Sequence, residues 1–174
     1  MRRAAACLAL VLTFAFAARA AADAPTERIK TIIVVRHAEA EPGPPGGDPQ
    51  LGAAGRARAL ELARALADAP LRAVYSTHYA RNRQTAEPLA RRAGDRLRII
   101  DDVTAILSAL AAEPWGGTVL VVGHSNTVPK LLAGLVGRPI PESEPVRFDA
   151  MWIVALSRDG GASALCLHYG EAAP

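Results

Sequence analysis

The hydrophobic and polar positions alternate between two periods along most of the chain, and that alternation predicts the elements. Ile32–Val35 is a short β-branched apolar run inside the stretch 29–41, the signature of a buried strand, and it ends abruptly at Arg36-His37. Residues 42–50 carry four prolines and three glycines, which excludes helix and central strand and predicts an irregular loop. Arg56 to Asp68 has apolar residues at helical spacing (Leu60, Leu62, Ala63, Leu66) between charged positions, and Pro70 closes it. Leu71–Ser76 alternates as a second strand. Strand, helix and strand in that order predict a right-handed crossover and a parallel pair.

The pattern then repeats. A turn at Thr77-His78-Tyr79 leads into a helix over 80–93, stopped by Gly94; a short strand follows over 97–100, then a helix over 103–112 with Ile106, Leu107 and Leu110 on one face. After the Gly116-Gly117 turn, Thr118–Val122 is the most hydrophobic strand beyond the N-terminal region, and is placed at the centre of the sheet. It runs into Gly123-His124-Ser125 and a helix over about 127–136, with Pro129 in the first turn, where a missing N–H is harmless. Residues 139–145 form a second irregular loop. Residues 150–156 and 163–167 are strands joined by Arg158-Asp159-Gly160-Gly161, a hairpin. The fold class is α/β, a three-layer αβα sandwich with a mainly parallel central sheet and a C-terminal antiparallel hairpin.

The N-terminus departs from this pattern. Met1-Arg2-Arg3 precedes a run from Ala4 to Phe16 that is apolar apart from Thr13, and Ala18-Arg19-Ala20 and Ala20-Ala21-Ala22 offer small-x-small cleavage sites. These are the three parts of a secretory signal peptide, and the apolar run is shorter than the roughly 20 residues that span a bilayer. The division is therefore 1–22 signal peptide and 23–174 domain. The expected product is secreted, periplasmic in a bacterium, with no stable membrane span after cleavage. Removing Arg2, Arg3 and Arg19, and no acid, takes the formal charge from +3 to zero, so the basicity of the whole chain argues for targeting and no nucleic-acid partner. Cys166 is then the one cysteine left. It can form no internal disulfide, and its apolar surroundings predict a buried core position.

Three parallel strands end in polar groups, and in an open α/β sheet ligands bind outside those carboxyl ends. The first delivers Arg36 and His37. The second delivers Ser76, with Arg81 one turn into the next helix. The central strand delivers Gly123, His124 and Ser125. Two arginines, two histidines and helix N-termini suit a tetrahedral anion.

Arg36-His37-Ala38-Glu39, Leu51-x-x-x-Gly55, Ser76…Arg81-x-x-Gln84-Thr85-Ala86 and Gly123-His124-Ser125 together resemble, in order, the motifs of the histidine phosphatase superfamily, the phosphoglycerate mutase-like proteins. The resemblance implies a phosphatase acting on phosphomonoesters or phospho-residues of a small molecule or phosphoprotein, with no metal or other cofactor. It implies His37 as nucleophile, forming a phosphohistidine, and Arg36, Arg81 and His124 as the groups that bind the substrate's phosphoryl oxygens. A carboxylic acid to protonate the leaving oxygen is also implied, but the family's usual context for it is missing. Asp102 is the first choice, with Asp101 and Glu113 as alternatives and a helix N-cap as the ordinary role of Asp102. Arg83, two residues from Arg81, points away on the helix and is read as solvent-facing. His78 could line the site, though a structural or solvated role fits as well, and His168 has no evident partner. The small size predicts an open site, with 42–50 and 139–145 as specificity loops.

Two other functions compete. Gly123-His124-Ser125-Asn126-Thr127 begins like a nucleophile elbow, with Asp149 or Asp159 and then His168 following in the order of a serine hydrolase; Thr127 stands where the elbow wants glycine. The second is a module that binds a phosphorylated ligand without turnover.

Overall fold

The structure, a computed structural model, describes residues 28–140 and 147–173. Residues 1–22, the expected signal peptide, lie outside the described residues, as does most of the loop 139–145. The elements in order are β1 (Ile29–Arg36), α1 (Ala53–Ala65), β2 (Leu71–Ser76), α2 (Ala80–Arg92), β3 (Leu97–Ile99), α3 (Val103–Ala112), β4 (Thr118–Gly123), α4 (Val128–Val136), β5 (Ala150–Ser157) and β6 (Ala162–His168).

One sheet holds all six strands in the order β3-β2-β4-β1-β5-β6. The pairs β3·β2, β2·β4 and β4·β1 are parallel, and β1·β5 and β5·β6 are antiparallel. Alternate side chains leave opposite faces of each strand, and the two faces are filled separately. Ile33, Val35 and Val74 pack with Leu62 of α1, Leu66 at its C-cap and Leu89 of α2. Ile32, Val34 and Val121 pack with Ile106, Leu110, Leu131 and Leu132 from α3 and α4. This is the three-layer αβα sandwich, with the hairpin β5–β6 at one edge.

Three expectations change in detail. β1 and β2 run parallel but are not hydrogen-bonded neighbours, because β4, whose six residues are all buried, takes the slot between them. α1 begins at Ala53, three residues before the expected start, and takes in Gly55. That glycine packs on the backbone after β1: a Cβ there would lie 2.0 Å from the Glu39 carbonyl oxygen, so no other residue fits without displacing one element. Cys166 is only half-buried, since β6 is an edge strand with most of its side chains exposed, Leu165 and Leu167 among them. Apolar alternation there marks an edge strand and not the core.

Candidate functional site

The site is assembled at the carboxyl edge of the parallel strands by a few buried backbone groups. β1 and β4 end in register, Arg36 opposite Gly123. The Gly123 carbonyl accepts from the His37 N–H (2.9 Å) and from Asn82 Nδ2 (3.0 Å), and Asn82 also donates to the Val122 carbonyl (3.1 Å). Asn82 is fully buried, so α2 is pinned by its first turn to the end of β4. A second tie runs through Thr85, whose hydroxyl accepts from the Ala38 N–H (2.9 Å) and donates to the Arg81 carbonyl (2.8 Å). The segment after His37 is held from beneath by Glu39. Its carboxylate takes Arg58 Nε and Nη2 at 2.7–3.0 Å, while Arg58 Nη1 donates to the Tyr169 and Glu171 carbonyls. Burial disfavours the Glu39 anion, but the Arg58 bonds outweigh it and hold the carboxyl below its usual range.

These ties bring Arg36, His37, Arg81 and His124 together. The His37 and His124 ring centroids are 5.4 Å apart, edge to face. His37 Nδ1 lies 2.8 Å from the Ala38 carbonyl oxygen. A carbonyl can only accept, so Nδ1 carries the proton and Nε2 keeps its lone pair. Arg81 Nε donates to that Nε2 at 3.3 Å. Burial, and then the charges of Arg36, His124 and Arg81, push His37 down to about 4, against the bond to Ala38. His124 is likewise pushed down to about 4 by burial and then by Arg81 and Arg36. Both rings are therefore neutral at pH 7, beside the guanidiniums of Arg36 and Arg81. Burial also pushes the Arg36 guanidinium below its ordinary value, aided by Arg81 and opposed by Glu39.

Five residues complete the site that sequence reasoning did not single out. Thr77 Oγ1 shares a 3.1 Å hydrogen bond with His124 Nε2, whereas Ser76 turns its hydroxyl to the Thr77 carbonyl. Phe148 lies under Arg36, the guanidinium carbon 3.9 Å from the ring centroid, and Tyr79 lies 4.6 Å from that of Arg81. Each guanidinium thus rests on an aromatic face. Phe148 is the one phenylalanine beyond residue 22, a compositional hint to its place. Asn82 was legible only as a neighbour of Arg81. Asp48, in the 42–50 loop, accepts from the Ala80 N–H at the start of α2 (2.8 Å) and stands 3.7 Å from Arg81 Nη1.

The remaining candidates fall elsewhere. Asp102 caps α3, accepting from the Ala105 N–H at 2.8 Å. Asp101 binds His78 twice, through the backbone N–H and Nδ1, both at 2.8 Å on an exposed surface, and its charge reaches His124. Glu113 is buried with Tyr75 and Arg98 at the far end of α3. Asp48 stands beside Arg81, whereas the Asp102 carboxylate is taken up as the cap of α3. Arg83 is exposed, as expected. His168 has a partner after all, Asp149 at 3.4 Å. Asp149 also takes Arg147 and the Ala173 N–H; burial acts against its charge, but those bonds hold it at about 2. The serine-hydrolase reading fails on this topology. β6, which carries His168, is separated from β4 by β1 and β5, roughly 14 Å at the usual strand spacing. Among the described residues no group of three or more His, Cys, Asp or Glu side chains is arranged to hold a metal ion, and no helix is long and apolar enough to cross a membrane.

A mixed α/β sandwich with an Arg-His strand end and a second histidine facing it defines the phosphoglycerate mutase-like fold class. The sequence model of the histidine phosphatase superfamily, branch 1, matches residues 32–104, which carry β1 through the start of α3. Over that stretch, which takes in Arg36, His37 and Arg81, the chain resembles that superfamily. Solved structures agree in fold. The SixA-type protein of Nakamurella multipartitia, described as a phosphohistidine phosphatase, aligns with TM-score 0.61 at 24% identity, over 82% of this chain and 98% of that one. The protein histidine phosphatase SixA complexed with tungstate aligns with TM-score 0.63 at 20% identity, over 79% and 96%. A mycobacterial glucosyl-3-phosphoglycerate phosphatase aligns with TM-score 0.68 at 15% identity, over 82% and 100%. No curated protein matches the chain.

Proposed function

We propose that this chain is a phosphatase that hydrolyses phosphomonoesters or phospho-residues through a phosphohistidine on His37, without a metal. The observation that carries the reading is the state of His37: a buried, neutral imidazole whose Nδ1 proton is fixed by the Ala38 carbonyl and whose Nε2 lone pair faces the guanidinium of Arg81. A neutral imidazole is a nucleophile near pH 7. Nε2 attacks phosphorus, the phosphorus–oxygen ester bond breaks, and the Nδ1–H bond to Ala38 stabilises the resulting imidazolium. Arg36, Arg81 and neutral His124 hold the phosphoryl oxygens, donating hydrogen bonds where negative charge accumulates. Those groups supply the charge neutralisation that a metal would otherwise give. Support comes also from the fold relative complexed with tungstate, a tetrahedral oxyanion.

Asp48 is our choice of proton donor in place of Asp102. Arg81 lies against both, its Nη1 3.7 Å from Asp48 and its Nε 3.3 Å from His37 Nε2, and we place the leaving oxygen on the Asp48 side. Asp48 gives its proton to that oxygen. In the second half-reaction it takes one from the water that attacks phosphorus, and the phosphorus–nitrogen bond breaks to return neutral His37. We also propose that residues 1–22 direct the enzyme out of the cytoplasm, on the strength of the leader's three-part pattern; the mass of the mature N-terminus in secreted material checks it.

The purified protein, assayed for phosphate release over a panel of phosphomonoesters and phospho-residues with and without a chelator, tests the reading. Release unaffected by chelator and abolished in His37→Ala is expected. Release that survives His37→Ala overturns the covalent mechanism, loss with chelator overturns metal independence, and inactivity across the panel favours a binding module.

A further inference from the structure

The opposite edge of the sheet holds a second cluster of cations that phosphatase chemistry leaves unused. Between the end of α1, the start of β2 and the end of α2 lies a cavity of about 450 Å³. Arg72, Arg92 and Arg96 stand on its rim, and Leu66, Leu71 and Leu89 are among the residues that line it. No carboxylate lines it; Asp95 and Glu113 line the neighbouring depression, which Arg72 and Arg96 share. Two of the guanidiniums are oriented without being neutralised. Arg92 Nη1 donates to the Ala63 carbonyl and Arg96 Nη1 to the Leu71 carbonyl, both at 3.3 Å. The Arg72 stem lies flat over Gly117, whose missing side chain leaves it room, and no ion pair with Arg72 is present among the described residues. By contrast, Arg64 and Arg91 pair with Glu61 and Glu87 on their own helices.

Three guanidiniums with no carboxylate partner, lining one cavity together with leucines, make a site for an anion with an apolar neighbour, since arginine binds phosphate through paired N–H groups and the leucines remove carbon from water. We infer that this cavity is a second anion site, taking a phosphate or phosphonate head on Arg72, Arg92 and Arg96 with its organic group over Leu66, Leu71 and Leu89. The site is distinct from the one at His37. Arg72 is the second residue of β2 and Ser76 the last, roughly 13 Å apart along the strand. The inference stands whether or not His37 forms a phosphoenzyme. A phospholipid headgroup and a soluble phosphate ester share the chemistry, and the experiment separates them.

Equilibrium dialysis of the full chain with inorganic phosphate and with butylphosphonate, which cannot be hydrolysed, reads the number of sites. Two are expected in the parent, one in Arg81→Ala and one in Arg72→Gln/Arg96→Gln. At the site that survives in Arg81→Ala, butylphosphonate is expected to bind about fivefold more tightly than phosphate, from burial of its chain. A thermal melt checks that the double variant, changed only at exposed positions, is folded. Co-sedimentation with phosphatidylcholine vesicles, with and without phosphatidylglycerol, forms the second arm. A phosphatidylglycerol-dependent increment lost in the double variant assigns the site to lipid, and anion binding with no such increment assigns it to a soluble ester. Unchanged stoichiometry together with unchanged vesicle binding in the double variant overturns the proposal.

Discussion

Each side chain at the His37 site carries a consequence that a single substitution or a change of pH can expose. The imidazoles of His37 and His124 are pushed from an ordinary 6.5 to about 4, so the free enzyme keeps its nucleophile well below neutrality. The acidic limb of kcat/KM, which reports the free enzyme, should fall near pH 4 and not near 6.5. Stability moves in the same direction. Between about 6.5 and 4 the unfolded chain binds protons at these two rings and the folded chain does not. Their contribution is therefore complete above pH 6.5 and declines as pH falls toward 4, which a series of thermal melts across that window checks. A second consequence concerns Asp48. If it protonates the leaving oxygen, Asp48→Asn should lower kcat on an alkyl phosphate by roughly 10²-fold and much less on an aryl phosphate, whose leaving oxygen needs no proton. Equal losses on both would point to a binding role for Asp48. At this scale the sequence was legible for Arg36, His37, Arg81 and His124, because each lies in a motif at a strand end. It was silent on Asp48 and Phe148, which reach the site from loops whose path no periodicity encodes, and it favoured Asp102, whose carboxylate α3 requires.

The elements place these groups through a few buried ties, of which Asn82 is the clearest. It fixes α2, and with it Arg81, to the last carbonyls of β4. Asn82→Ala should cost about 2 kcal/mol by leaving buried carbonyls underused, a fall in Tm of about 4–8 °C. It should also raise KM, as Arg81 loses its fixed relation to His37. Steady-state kinetics beside a melt separates the two effects, and an unchanged KM would show that α2 holds its place without this tie. Element positions followed the sequence closely where apolar period and breakers agree, as in β2 (Leu71–Ser76) and α3 (Val103–Ala112). They shifted where a residue answers to a distant contact. Gly55 reads locally as a helix breaker, yet α1 runs through it because only a glycine can lie against the Glu39 carbonyl.

Across the whole molecule, β4 occupies the middle of the sheet, as its unbroken apolar run implied, and by doing so it separates β1 from β2 and sets Arg36-His37 directly beside His124. Strand order is a tertiary choice, and the local pattern recorded the number and direction of strands better than their neighbours. The same limit explains Cys166, whose apolar flanks look alike in a central strand and in the exposed edge β6. In the proposed mechanism this arrangement makes His37 a covalent nucleophile. Brief reaction with a ³²P-labelled monoester, followed by a denaturing quench, tests it most directly. The phosphohistidine mechanism predicts label on the protein that survives alkali, is lost in acid, maps to His37 and is absent from His37→Ala. Label that persists in His37→Ala, or turnover with no trapped phosphoprotein under any quench, would contradict it.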